Sequence, residues 1–480
     1  MESASYSRRE ALKMASLGAA AFSLPAKSTA AGLPPPKTSK TTVVVDCSRQ
    51  VGLIRPLHGV NNGPFNWGGR ANVTLSHQEA GFPWVRLHDV HWPSPDVVDI
   101  PCIFPFFRAD ADDPANYLFA KTDDYIKTIV RIGEQIVWRL GVSIEHDGYY
   151  QTHPPPDFAK WTKICLNVIR HYNEGWAAGF HHNIRYWEIW NEPSNGRDMW
   201  SGTRDQYFQL YETAAKAIKA HDPGLKVGGP AIGKHTDPWV PAMLSFCRER
   251  NTPLDFFSWH IYSDSPAAVT EAAGSVRAML DDYGFKDTES HLNEWHYLKY
   301  NWERLRNDPR KYRIVRDTFA EMNGPEGAAF AAAVLMRLQD SRVDVANYYT
   351  GDTSRWGLFD EFGVPKKPYY AFRAFNELCK TPVRLGCTGT TPDGRLTACA
   401  SLSRDGTTAH ILASNFQACA VEMRIELRDS PWKVGTKAQL FRVDAANDFT
   451  LDTTHSLKGA GPALAVKLPP FGVGLVRLSA

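Results

Sequence analysis

"IRYWEIWNEPSN", residues 184–195, decides how the chain is read. Glu188 and Glu192 stand four apart, a spacing that on a helix would set both carboxylates on one face. On a strand over 184–191 that spacing loses its meaning, because side chains alternate between faces. Glu192 then follows the strand's last residues, at its C-terminal rim, while Glu188 lies deeper as a hydrogen-bonding structural acid. Asn191 and Pro193 fit a tightly held strand end, and Trp187 and Trp190 serve the core or the wall of a site.

What favours the strand is the alternation on either side. Short β-rich runs recur at 54–61, 83–88, 135–144, 184–191, 225–231, 255–262, 289–295 and 344–350, and most are separated by helical patterns. A Thr cap and apolar helical periodicity mark 203–221, with "DPG" as the stop, and 328–340 also reads as a helix. Eight strands with intervening helices predict an α/β fold, a parallel (β/α)8 TIM barrel over 54–380. A doubly wound open sheet would need a glycine-rich phosphate loop after its first strand, and none is present.

Beyond residue 380 the texture changes to short β-like runs between Asp, Gly and Pro turns, the pattern of an accessory β-sandwich over 381–480. "TTVVVDCS" (41–48), within an N-terminal segment 41–53, is a candidate to pair with it. The sandwich reads as structural support, with sugar binding as the alternative.

Composition sets the outer limits. With 43% apolar and 22% charged residues the chain is an ordinary globular protein, and its net charge of +2 carries no basic stripe for nucleic acid. No stretch after the N-terminus is apolar enough to span a membrane. "SRREALK" (7–13), followed by small and apolar residues, has the layout of a twin-arginine signal, and 1–40 reads as signal and linker of a periplasmic or secreted protein. The eight cysteines include no Cys-x-x-Cys pair; Cys387 is a candidate partner of Cys399 or Cys419 in an oxidising compartment. Neither a zinc-type His-Glu-x-x-His motif nor a cofactor motif occurs, so no metal and no cofactor is expected. A subunit count cannot be read from the sequence.

A second acid gives Glu192 a partner. "ESHLNEWHY" (289–297) sets Glu294 at the end of the seventh strand, across the barrel mouth from strand four. Two facing carboxylates are what cleavage of a glycosidic bond requires: one protonates the leaving oxygen, the other stabilises or attacks the anomeric carbon.

The motifs resemble those of clan A glycoside hydrolases, and more closely those of glycoside hydrolase family 39, which includes β-xylosidases and α-L-iduronidases. Glu188, Trp190, Asn191, Glu192 and Pro193 match the family's acid/base pattern, while Arg185, Trp187 and Ser194 depart from it. The resemblance extends through "HGVNNGP" (58–64), "VRLHDV" (85–90), "FSWHIY" (257–262) and "KPYYAF" (367–372). It implies Glu192 as acid/base, Glu294 as nucleophile, a retaining mechanism, and Asn191 on the sugar 2-hydroxyl.

Other candidates follow from strand ends. Arg86 would hold the nucleophile's charge and His88 would touch substrate; at the end of strand six stand His260 and Tyr262, whose phenol would orient the nucleophile. His58 and Asn61 end strand one, and Trp295 and Trp356 are candidate pocket walls. A uronic acid would want a cation, Lys299 or Arg355, whereas Asp352 would suit the hydroxyls of xylose or arabinose. The expected substrate is a glycoside or oligosaccharide, β-xyloside first. Release of arabinose or arabinose-containing units comes second, and iduronidase-like or exopolysaccharide cleavage third. A non-catalytic carbohydrate-binding protein is the rival from another class.

Overall fold

The computed structural model describes residues 38–66, 71–91, 96–145, 151–300, 302–433, 435–457 and 462–479. The twin-arginine segment falls outside the described residues. Strand structure begins at Ser39, inside the stretch read as linker.

Eight parallel strands close into a barrel: Gly59–Asn61, Trp84–Leu87, Gln135–Leu140, Tyr186–Ile189, Lys226–Ile232, Phe256–Ser263, Glu289–Tyr297 and Val345–Tyr348. They are numbered one to eight here. Closure comes where strand eight pairs with strand one, Asn347 beside Gly59. Alternation then assigns the side chains. Trp138 and Trp187 point outward, stacked on each other with ring centroids 5.5 Å apart, and join the helix layer through Tyr172. The inward positions are unusual for such a barrel, because a polar set fills them. Asn61, Arg86, Arg139, Glu188, Asn293 and Asn347 are all fully buried. Polar groups can stay there because they are hydrogen-bonded: Arg86, Glu188, Asn61 and Asn293 to one another, Arg139 to Asp99 and Ser143, and Asn347 to the Val60 carbonyl; unpaired, each would be costly to bury.

The helix Arg204–His221 is built as the sequence predicts. Thr203 and Gln206 form a reciprocal capping box at its start, and it ends at Asp222. Helix Pro325–Arg337 opens on a proline, which costs nothing where no intrahelical N–H bond is needed, and it is buried along most of its length. Among the described residues no helix is long and apolar enough to cross a membrane.

The C-terminal β structure is one continuous nine-stranded sheet rather than two separate ones. Strand Ser39–Leu53 lies inside it, antiparallel to Val383–Thr388 and parallel to Val421–Arg428. Val43, Val45, Met423 and Ile425 share a core with Ile411, Leu440 and Val476, so the sheet closes over on itself in sandwich fashion. Against the barrel it presents Ser414, whose hydroxyl donates to the Ala329 carbonyl at 2.7 Å. All eight cysteines are free thiols, Cys387 and Cys399 included.

Candidate active site

The end of strand four is bent sharply. Trp190 and Glu192 both adopt left-handed backbone (φ 71° and 45°), uncommon for residues with side chains. Three hydrogen bonds hold the bend: Trp190 N–H to Leu140 O (2.8 Å), the Trp190 indole to Met199 O (2.8 Å) and Glu192 N–H to Ala231 O (3.1 Å). The bend lets consecutive residues, Asn191 and Glu192, line the same cavity. On strand seven a bulge between Leu292 and Glu294 has a similar effect. Asn293 reaches Glu188 inside the barrel, while Glu294 faces the cavity above.

Arg86 organises the floor. Fully buried, it donates from Nε to Glu188 (2.7 Å) and from Nη2 to Asn191 Oδ1 (2.7 Å). Its Nη1 bonds both Glu294 Oε1 (2.9 Å) and Asn61 Oδ1 (3.1 Å). Burial by itself would lower the guanidinium's pKa, but Glu188 and Glu294 outweigh it and raise it, so the cation is locked in. Removing one partner of such a buried set typically destabilises by about 3–5 kcal/mol.

Glu294 receives a second hydrogen bond, from the Tyr262 hydroxyl at 2.8 Å. Burial raises its carboxyl above the ordinary value and Glu192 pushes it further, against the pull of His260 and Arg86. Glu192 sits slightly more open; Asn195 donates to its Oε2 at 2.6 Å and His260 Nδ1 lies 2.7 Å from its Oε1. The same His260 nitrogen is 3.4 Å from Glu294 Oε2. One oxygen from each acid and one His260 ring nitrogen thus lie within 4.8 Å of one another.

These three groups are the one set among the described residues close enough to hold a metal ion. The donor set argues against a cation there, since Arg86 already places a positive charge 2.9 Å from Glu294.

The cavity above the acids has a volume of about 810 Å³. His88, Tyr262, Asp352 and Trp356 line it with the two glutamates and Asn191. His88 Nε2 is 3.9 Å from Glu294, and burial with the nearby Arg86 charge drives its pKa well down, so the ring is neutral. Trp356 stands edge-on to Tyr262 at 6.0 Å. The loop carrying Asp352 and Trp356 is tied down by Lys366, whose ammonium donates to the carbonyls of Ser354 (2.7 Å) and Gly357 (2.8 Å).

Several sequence candidates stand elsewhere. Strand one begins only at Gly59, so His58 enters it at the far end from the mouth and packs on Phe375 and Phe82. Trp295 follows an inward glutamate and therefore points outward, against Phe330 and Phe372 of the helix layer. His260 is a bridge between the acids rather than a cavity wall, and Asn61 supports Arg86 from below. Arg355 is exposed and lies over the outside of the Phe319 ring, and Lys299 pairs with Glu321 at 3.0 Å. Neither cation lines the cavity.

Sequence reasoning missed others. Asn195 is three residues beyond Glu192, close enough for the motif itself to have suggested it. Gly233 gave no signal; a Cβ there would sit 2.8 Å from Glu192 Oε1. Lys234, Asp89 and the rim residues Leu305, Val315 and Phe319 also line the cavity.

A parallel barrel with paired glutamates at the ends of strands four and seven, braced by an arginine and a tyrosine, defines a class of two-carboxylate barrel proteins. The chain belongs to the glycosyl hydrolases family 39, whose model matches residues 46–385. A β-xylosidase of Geobacillus stearothermophilus is 30% identical over 258 residues, covering 47% of each chain. One of Caldicellulosiruptor saccharolyticus is 27% identical over 336 residues, 64% of each. The match thus spans about half to two-thirds of those relatives. The crystal structure of a glucosidase from Croceicoccus marinus superimposes with a TM-score of 0.76 at 26% identity, over 93% of this chain and all of that one.

Proposed function

We propose that the protein is a retaining, exo-acting β-glycosidase, with β-D-xylosides as its first substrates. Glu294 attacks the anomeric carbon while Glu192 protonates the leaving oxygen; Glu192 then takes a proton from the water that releases the sugar. The observation that carries this reading is the approach of the two carboxylates, with an oxygen of each inside a 4.8 Å cluster. Retaining enzymes hold their carboxyls ~5–5.5 Å apart, whereas inverting ones leave ~6.5–9.5 Å for a water. Arg86 and Tyr262 favour the ionised form of Glu294 and fix its oxygens, the preparation a nucleophile needs. The acids in and beneath the pocket outnumber the buried cations Arg86 and Arg139, an arrangement that favours an oxocarbenium-like transition state.

A neutral glycone fits the lining better than a uronate. Asp89, Asp96, Asp198 and Asp352 surround the two glutamates, with Lys234 as the lysine among the lining residues. Carboxylates grip sugar hydroxyls as acceptors and repel a sugar acid. The resemblance to the Croceicoccus marinus glucosidase supports glucosides as the second reading.

The test is release of nitrophenol from aryl β-D-xyloside, β-D-glucoside, β-D-galactoside, α-L-arabinofuranoside, α-L-arabinopyranoside and α-L-iduronide, with chelator present. Wild type is run beside Glu192→Ala and Glu294→Ala. Turnover of the xyloside that Glu294→Ala abolishes is expected. Silence across the panel from folded protein would sink the exo-glycosidase reading and leave a glycan-binding protein, or one that needs longer chains.

A further inference from the structure

A second cavity, of about 670 Å³, lies between the barrel's outer helices and the nine-stranded sheet and shares no lining residue with the first. Its walls come from helices Pro266–Asp282 and Pro325–Arg337, the turn before strand eight, and sheet strands Ser39–Leu53, Val383–Thr388 and Leu396–Leu402. Five arginines line it, Arg49, Arg277, Arg337, Arg342 and Arg384, against a single acid, Asp340. The whole chain carries a formal charge of only +2, so this is a marked local concentration.

Part of that charge has a structural duty. Arg384 pairs with Asp340 at 2.6 Å and donates to the Gln339 carbonyl, where the helix Pro325–Arg337 runs out. Arg277 and Arg342 share Asp281, at 2.8 and 3.3 Å. The other two are different. Arg49 and Arg337 enter no ion pair among the described residues, and Arg337 touches only Thr270 Oγ1 (3.2 Å) and the Thr391 carbonyl (3.5 Å). The Nε of Arg337 has no hydrogen-bond partner, whereas the buried Arg277 also spends Nη1 and Nη2 on the carbonyls of Thr288 (2.7 Å) and Phe285 (2.6 Å). Guanidinium N–H groups left over in a confined space match the oxygens of a carboxylate or phosphate, which the planar fork binds two at a time.

We propose that this cavity binds a multivalent oxyanion, carrying carboxylates or phosphates, seated on Arg49 and Arg337 and bridging barrel and sheet. A ligand bound only by the folded chain stabilises it by mass action. The experiment is titration calorimetry and thermal melting of the full chain with pyrophosphate, trigalacturonate and, as neutral control, xylotriose, at constant ionic strength. At least one anion is expected to bind and to raise Tm by a few degrees. The double variant Arg49→Ser, Arg337→Met should weaken that binding at least about tenfold, or 1.4 kcal/mol. If the double variant fails to fold, Arg49→Ser alone, altering an exposed side chain, carries the comparison and should also weaken binding. Pyrophosphate alone binding assigns a phosphate-type ligand, and trigalacturonate alone an acidic glycan. Neither anion binding better than xylotriose, or equal binding by the folded variants, overturns the proposal. Aryl-glycoside turnover should be the same in all forms, which keeps this test separate from that of the glycosidase reading.

Discussion

Glu294 is buried among charges that pull its proton both ways. Burial raises its carboxyl pKa, so the acid limb of kcat/KM should lie above that of an ordinary carboxylate, with activity lost as pH falls and the nucleophile takes up a proton. The Tyr262 hydroxyl bonds the ionised form and opposes that rise. A hydrogen bond to a charged group contributes about 1.5–3 kcal/mol, so Tyr262→Phe should move the limb upward by about one to two pH units. Titrating kcat/KM of both proteins checks this, and an unmoved limb would mean that the phenol does not stabilise the carboxylate. At this scale the sequence was informative where chemistry coincides with a strand end: Glu192, Glu294, Arg86 and Tyr262 were all legible. It was silent where side chains meet only in three dimensions. Nothing in "FSWHIY" says that His260 lies between two acids, and no pattern marks Gly233 as the place where a turn runs flat against Glu192.

Among the elements, strand seven shows both the strength and the limit of alternation. Its period assigns Trp295 to the face opposite Glu294, yet a bulge brings Asn293 inward as well. The Trp295 ring is fully buried against Tyr348, Phe330 and Phe372. Trp295→Ala should therefore destabilise the protein by about 3–5 kcal/mol, with KM of the residual folded enzyme unchanged. Denaturant melts beside kinetics at low temperature check this; a raised KM with little loss of stability would restore Trp295 to the pocket wall. His58 was misplaced for a different reason. The apolar run before it reads as strand, but pairing begins only at Gly59, and strand ends are where periodicity says least. The rim helices Trp302–Asn307 and Lys311–Asn323 went unread because their charged composition carries no core signal, although Leu305, Val315 and Phe319 turn toward the cavity.

For the molecule as a whole, the alternation of eight strands was enough to identify the barrel, and the change of texture after residue 380 was enough to set the sheet apart. How the two combine was less visible. A strand at the very start, Ser39–Leu53, sits between Val383–Thr388 and Val421–Arg428, so the barrel is inserted between pieces of one sheet. The segment 41–53 was a candidate for that sheet from its β-rich run, but its two partner strands and their register join residues more than three hundred positions apart, which local patterns do not report. The same packing creates the arginine-lined cavity, since its walls belong to both parts.

All of this serves one chemical claim, that two glutamates set close together cleave with retention. The most direct measurement follows the anomeric protons by NMR during the first turnovers of an aryl β-D-xyloside, before mutarotation scrambles the product. Release of β-xylose first is the predicted result. Release of α-xylose first would contradict the account, because inversion calls for carboxyls about 6.5–9.5 Å apart, with room for a water.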